Sequence, residues 1–447
     1  MRDAIIIVGV LAAAPICLFR PFFGVLMWFV IAIIDPAGYA WGIGARVPAA
    51  MIIAVPTLLG GVSAVANVRL LPKQMAWFFL FWAWMAVTYV HATEVPIFAD
   101  HLQDALQQLD QVSKILLMTV FSILVVATSK KRFRYLLLTT ISCLGFLAIK
   151  GAVFGLITGG MDRIYGSHGS FIGDNNDFAL ALNMTMAIPF FMAREEPNRR
   201  MRLLLRMLFA AYVVCVILSY SRGGLLGLMV VLTAIALKSR RKAIAGLVVC
   251  AILAGMSAFT TEQWKERMNG FLHGKIDLSA EQRLITWGFA WHLANAYPLT
   301  GGGFETFTPD LFARFQPEKL GNNKTARGPH SIYFQVLGEH GFVGLILFLA
   351  LLLSCWRLAR RTRRIARGHP DLEWVAGYSH MFEIGLVGYV VSGAFLGRAY
   401  FDLYYELLAC VVIMNIIVAR TIADEKLTAE DQAEAEELRE QAMLPAT

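Results

Sequence analysis

Long apolar blocks recur along the whole chain, separated by short polar stretches. They can be placed near 4–19, 22–36, 47–67, 75–92, 113–129, 134–157, 176–193, 202–219, 224–237, 242–258, 331–356, 376–397 and 402–420. A helix needs roughly 20 apolar residues to cross the hydrocarbon layer, and only a helix satisfies its own backbone groups there. The pattern therefore predicts an all-α, polytopic transmembrane helical protein with about 12 to 13 spans. Twelve is the number if the short first pair forms one interrupted helix. There is no internal repeat and no low-complexity tract.

The loops between blocks alternate in character. Those at Val68–Gln74, Ser129–Arg134, Arg194–Arg202, Lys238–Lys242 and Arg357–His369 are rich in Lys and Arg, which predicts that they face the cytoplasm. The opposite side receives the loops near 37–46, 93–112, 158–175, 219–223, 259–330 and 397–401. Two of these are long. Ala92–Lys114 has apolar residues at helical spacing and predicts a short interfacial helix. Thr260–His330 is the longest insertion, and ordered segments of such length are usually functional. Within it, Ala280–Ala296 reads as an amphipathic helix carrying Arg283 and Trp287, closed by Pro298 and the flexible Gly301-Gly302-Gly303. The expected organisation is N-terminal membrane helices at 1–157, a membrane core at 158–420 that includes the outer segment 259–330, and an acidic cytoplasmic tail at 421–447.

Composition agrees with a membrane protein. Of 447 residues 57% are hydrophobic and only 16% charged, and the mean hydropathy is +0.58. A net charge of +8 would suggest a nucleic-acid partner in a soluble protein; here the basic residues cluster at helix ends, so none is expected. The six cysteines all fall in apolar blocks, which argues against a disulfide framework or a zinc site. No phosphate-binding loop, dinucleotide fingerprint or metal-ligand motif occurs, so no cofactor and no metal are expected. Asp174-Asn175-Asn176-Asp177 reads chiefly as a helix N-cap.

Candidate chemistry gathers on the outer side. The run Arg327-Gly328-Pro329-His330-Ser331 precedes an apolar helix expected to start near His330, because proline suits a first turn. Ser331, Gln335 and Glu339 form one polar stripe on it, and Gly338, Gly341 and Gly344 a smooth strip for a neighbouring helix. Arg222 lies in the tight turn Ser219–Gly224, Arg283 on the amphipathic helix and Arg163 in the loop 158–175. Guanidinium groups bind phosphate in a bidentate way and stay charged, so converging arginines suit a diphosphate.

These features resemble the bacterial O-antigen ligase family and the related polymerases and protein O-glycosyl ligases. The ligase signature is His, then Asn, Ser or Gln, nine residues, Gly, two residues, and Gly, Thr or Tyr. The chain has His330-Ser331, nine residues, Gly341, Phe342-Val343 and Gly344. The Ser221–Gly224 turn and the run Arg283, Trp287, Pro298 and Gly301–Gly303 look like the family's too. The likeness covers roughly 165–420. The first 150 residues look like the front of exosortase-associated O-glycosylation ligases. The resemblance implies transfer of an undecaprenyl-diphosphate-linked glycan to a lipid A–core hydroxyl at the periplasmic face of the inner membrane. It implies His330 as general base and Arg222, Arg283 and Arg163 on the substrate. The alternatives are a polymerase or a protein ligase of the same superfamily and, in another class, a lipid-linked glycan flippase or transporter.

Overall fold

The computed structural model describes residues 2–65, 72–160, 162–238, 278–317 and 328–443. Among these every regular element is helical. The N-terminal helices are α1 (Arg2–Phe19), α2 (Pro21–Ile34), α3 (Ala49–Val65), α4 (Met75–Glu94), α5 (Leu102–Val126) and α6 (Lys130–Ile157). Then come α7 (Asn175–Thr185), α8 (Ala187–Glu195), α9 (Arg199–Leu218) and α10 (Arg222–Lys238). After the outer helices α11 (Leu278–Ala296) and α12 (Pro309–Phe315), the chain closes with α13 (Ile332–Ile365), α14 (Trp374–Gly393) and α15 (Asp402–Met443).

Seven of the described helices are long and apolar enough to cross a membrane, and α2 and most of α3 are shorter apolar helices. The protein is a multi-pass helical membrane protein. The expected span near 242–258 lies outside the described residues. The first two apolar stretches form two helices, parted at Arg20 with proline opening the second. At 14 residues α2 is about 21 Å long, short of the ~30 Å hydrocarbon core. The stretch 176–193 is likewise two helices, meeting at Met186.

Other expectations change. The amphipathic stretch after Ala92 is not a separate interfacial helix. A short 3-10 turn, Pro96–His101, leads straight into α5, whose buried Ala105 and Val112 carry its apolar stripe on into the span. The acidic tail continues the last helix, α15. The smooth strip on α13 meets helices, with Gly338 near Ala290 of α11 and Gly344 near Trp84 of α4, and also a turn of chain. At Gly341 (φ +66°) the helix breaks, a conformation that glycine adopts without a Cβ penalty. Phe342 N–H then donates to Pro298 O at 2.9 Å, while Gly302 and Gly303 N–H donate to Gly338 and Glu339 O, both at 2.9 Å. The glycines expected as a flexible hinge are therefore a clasp. A Cβ on Gly301 (φ +62°) would lie 2.4 Å from Gly338 O.

Described residues of four of the five basic loops meet at one end of the bundle; most of the loop Val68–Gln74 lies outside the described residues. Arg134, in the first turn or so of α6, pairs with Glu196 after α8. Lys238 of α10 and Arg363 of α13 share Glu383 of α14. Arg420 of α15 donates to Ala127 O, 3.1 Å away, and Lys130 lies over the Trp374 ring. The core between the ends is one apolar cluster that includes residues of α2, α4 to α10 and α13 to α15. Polar pins run through it: Asn183 of α7 donates to Gly224 O of α10 at 2.7 Å and to Ser392 Oγ of α14 at 3.0 Å. Such hydrogen bonds hold helices together where hydrophobic contrast between helices is absent.

Candidate functional site

At the other end, three helix starts and one turn are locked together. Asp174 caps α7, accepting from Asn176 N–H at 2.8 Å, as expected for that stretch. Asn175 then donates to Ser219 O at 2.8 Å, which joins α7 to the turn that opens α10. Ser221 Oγ accepts from Gly224 N–H at 3.1 Å and caps that second helix. Arg222 is thus the first residue of α10, at a terminus whose backbone donors and dipole both favour an anion. The two glycines after it serve helix packing: a Cβ on Gly223 would lie 3.1 Å from Phe395 Cβ, and one on Gly224 would overlap Ala179.

His330 stands just outside α13, which begins at Ile332 rather than at the histidine. Its φ is +43° and its side chain is exposed. Histidine is one of the few L residues seen with some frequency in this left-handed region. The neighbours fix it there. Trp287 Nε1 donates to Pro329 O at 2.9 Å, and the Trp287 ring stacks on Phe334 at 4.9 Å. A Cβ on Gly397 would come within 3.3 Å of His330 N. Arg283 lies one helical turn before Trp287 on α11, half-buried, so the tryptophan that seats the histidine also sets the arginine's helix against it. Arg163 is exposed on the loop after α6. That loop reaches the same end through Ile164 N–H to Leu218 O, at 3.2 Å.

The turn between α14 and α15 supplies residues the sequence reading missed. Arg398 forms an ion pair with Asp177 of α7, and this hydrogen bond, opposed by burial, raises the guanidinium above its usual pKa. Asp177 is buried and within electrostatic reach of His330. The polar stripe on α13 holds the turn: Gln335 Oε1 accepts from Ala399 N–H at 3.0 Å, and Tyr400 donates its hydroxyl hydrogen to Glu339. Glu339, about two turns along α13 from the histidine, is buried and bonded to Tyr400. The signal was present, because Arg398 sits in a very short loop on the non-basic side, the feature that singled out Arg222. Among the described residues no three His, Cys, Asp or Glu side chains gather as a metal site.

Residues 207–349 match the family model described as O-antigen ligase. This part of the chain is similar to the O-antigen ligase family. The matched stretch contains Arg222, Arg283 and His330, three of the four residues singled out from sequence, while Arg163 and Arg398 lie outside it. Residues 1–193 match a family of unknown function, DUF5935, which adds nothing to the likeness to exosortase-associated ligases. No curated protein matches the chain. The ligase-family part implies glycosyltransferase-like ligase or polymerase activity, with a lipid-linked glycan as substrate.

Proposed function

We propose that the protein transfers a glycan from undecaprenyl diphosphate to a sugar hydroxyl of lipid A–core, at the periplasmic face of the bacterial inner membrane. The observation that carries this reading is the convergence, at the non-basic end of the bundle, of a family-matched histidine with a helix-terminal arginine. In the reaction the acceptor oxygen attacks the anomeric carbon and loses its proton to neutral His330 as the new C–O bond forms. The bond from the anomeric carbon to the diphosphate oxygen breaks, and polyprenyl diphosphate leaves. Arg222 and Arg283, with Arg163 at the loop above, take up the charge that develops on the leaving group.

Asp177 bears on the stereochemistry. A carboxylate near the anomeric carbon could act as a nucleophile and give retention. Asp177 is buried and one of its oxygens is engaged by Arg398, which argues against a role as nucleophile. Direct displacement with inversion follows. Lipopolysaccharide from a deletion strain should lack O-antigen while lipid-linked polymer accumulates. Loss of the polymer itself would point to a polymerase, and unchanged lipopolysaccharide with an unglycosylated protein would point to a protein ligase. Transfer by purified enzyme should invert the anomeric configuration; a retained product would remove the single-displacement mechanism.

A further inference from the structure

Outside the cluster around His330, the structure has a groove of about 650 Å³ walled by α2, α3 and α5. Its floor is apolar, with Trp28 and Ile31 from α2 and Ile115 and Met118 from α5. On α3 the small side chains of Ala50 and Ala54, one turn apart, leave the space open. Met51 and Val55 line it as well and are exposed, 64% and 45%, on an apolar surface, so the groove opens sideways toward lipid rather than toward water. A cavity of this size is in the ~300–1,000 Å³ range that encloses one small ligand, a few prenyl units rather than a whole chain.

Polar residues of the groove lie toward the end where His330 stands. Asp35, Ser170 and Asp402, the first residue of α15, are at that end, while Gln111 and Lys114 line the groove from α5. Asp402 is within electrostatic reach of Arg398, which pairs with Asp177. Phe171, which also lines the groove, packs edge-on against Phe401 at 5.2 Å, so the groove borders the turn that leads into α15. An occupant with an apolar chain in the groove would therefore carry its polar head toward the arginines.

We propose that this groove holds the diphosphate-proximal prenyl units of the lipid-linked donor. The proposal rests on the donor class given above, and it assigns the N-terminal helices, matched to a family of unknown function, a part in substrate recognition. Two measurements test it. With p-benzoylphenylalanine in place of Met51, irradiation in phospholipid nanodiscs containing undecaprenyl diphosphate should yield the prenyl adduct. Adducts with phospholipid alone would overturn the groove assignment. This readout needs no turnover, so a prenyl adduct in an enzyme that transfers no glycan would count against the proposed reaction and leave the groove standing. In the second measurement, Ala54→Trp fills the groove. It should lower kcat/KM at least tenfold for a C55-diphosphate-linked glycan and less than twofold for a C15 analogue. Leu59→Trp, on the outward face of α3 and 63% exposed in the native chain, should change neither. Equal losses with both donors, or no loss with either, would overturn the proposal.

Discussion

At the basic end of the bundle, cations reach inward to carboxylates. Arg363 and Lys238 share Glu383, whose side chain is only 4% exposed, and Arg134 holds the similarly buried Glu196. The opposite end is built differently. Arg222 opens a helix, Arg163 is exposed, and the buried carboxylate, Asp177, already has Arg398. Residue type is the same at both ends; the difference lies in what each arginine completes. A buried ion pair broken on one side leaves an uncompensated charge, so the basic end is a matter of stability. An arginine at a helix start, at the same end as an exposed histidine, lies where a ligand arriving from outside would meet it.

That contrast can be broken by experiment, beginning with the largest effect. His330→Ala should lower the rate of glycan transfer by roughly 10²- to 10⁴-fold, the usual worth of a general base, with membrane insertion and donor binding retained. Ordinary turnover by the folded variant in a purified assay would end the assignment. Next, Arg222→Lys and Arg283→Lys should each lower transfer by on the order of 10²-fold, because a point charge does not reproduce a planar bidentate fork. Donor titrations giving full affinity and full rate in both would place the diphosphate elsewhere. Glu383→Ala belongs to the other end. It should destabilise the fold by about 3–5 kcal/mol, as does loss of one partner of a buried pair, yet leave kcat/KM of the folded protein within about twofold. Thermal melts in detergent beside activity per folded molecule would separate the two. A specific loss of activity without a change in melting would mean that the basic end takes part in catalysis.

Much of this was legible in the sequence, and the failures have a common cause. Periodicity and apolar block length located the helices, since membrane helices must satisfy their backbone internally. The alternation of basic loops separated the two ends, and the ion pairs to Glu196 and Glu383 bring residues of four of these loops together. His330 and Arg222 were visible because each sits beside a proline or glycine turn outside an apolar run. Asp177 and Arg398 were not paired on paper, because 221 positions separate them and pairing requires knowing that α7 and α14 are neighbours. The glycine run 301–303 was misread for a related reason. Three glycines look like slack in a linear string; in space they admit the backbone of a broken α13 at hydrogen-bonding distance. Much of the rest of the segment 260–330 lies outside the described residues.

The smallest expected effect concerns divalent cations, and it follows from how carboxylates are used at the site end. A diphosphate leaving group needs positive charge close to its oxygens, from a cation or from fixed guanidinium groups. A cation such as magnesium is usually held through one or two carboxylates with free oxygens. Here Asp174 accepts from the first turn of its own helix, and Asp177 is buried against Arg398. Each carboxylate thus has an oxygen committed within the protein, while Arg222 and His330 stand at the same end of the bundle. Transfer should therefore proceed within about twofold of the untreated rate after removal of divalent cations with EDTA, arginines supplying the charge instead. The measurement is initial rate with purified enzyme and lipid-linked donor, with and without chelator. Loss of activity restored by magnesium or manganese would show that a cation is needed at the diphosphate, and Asp174→Asn with Asp177→Asn would then test whether these carboxylates hold it.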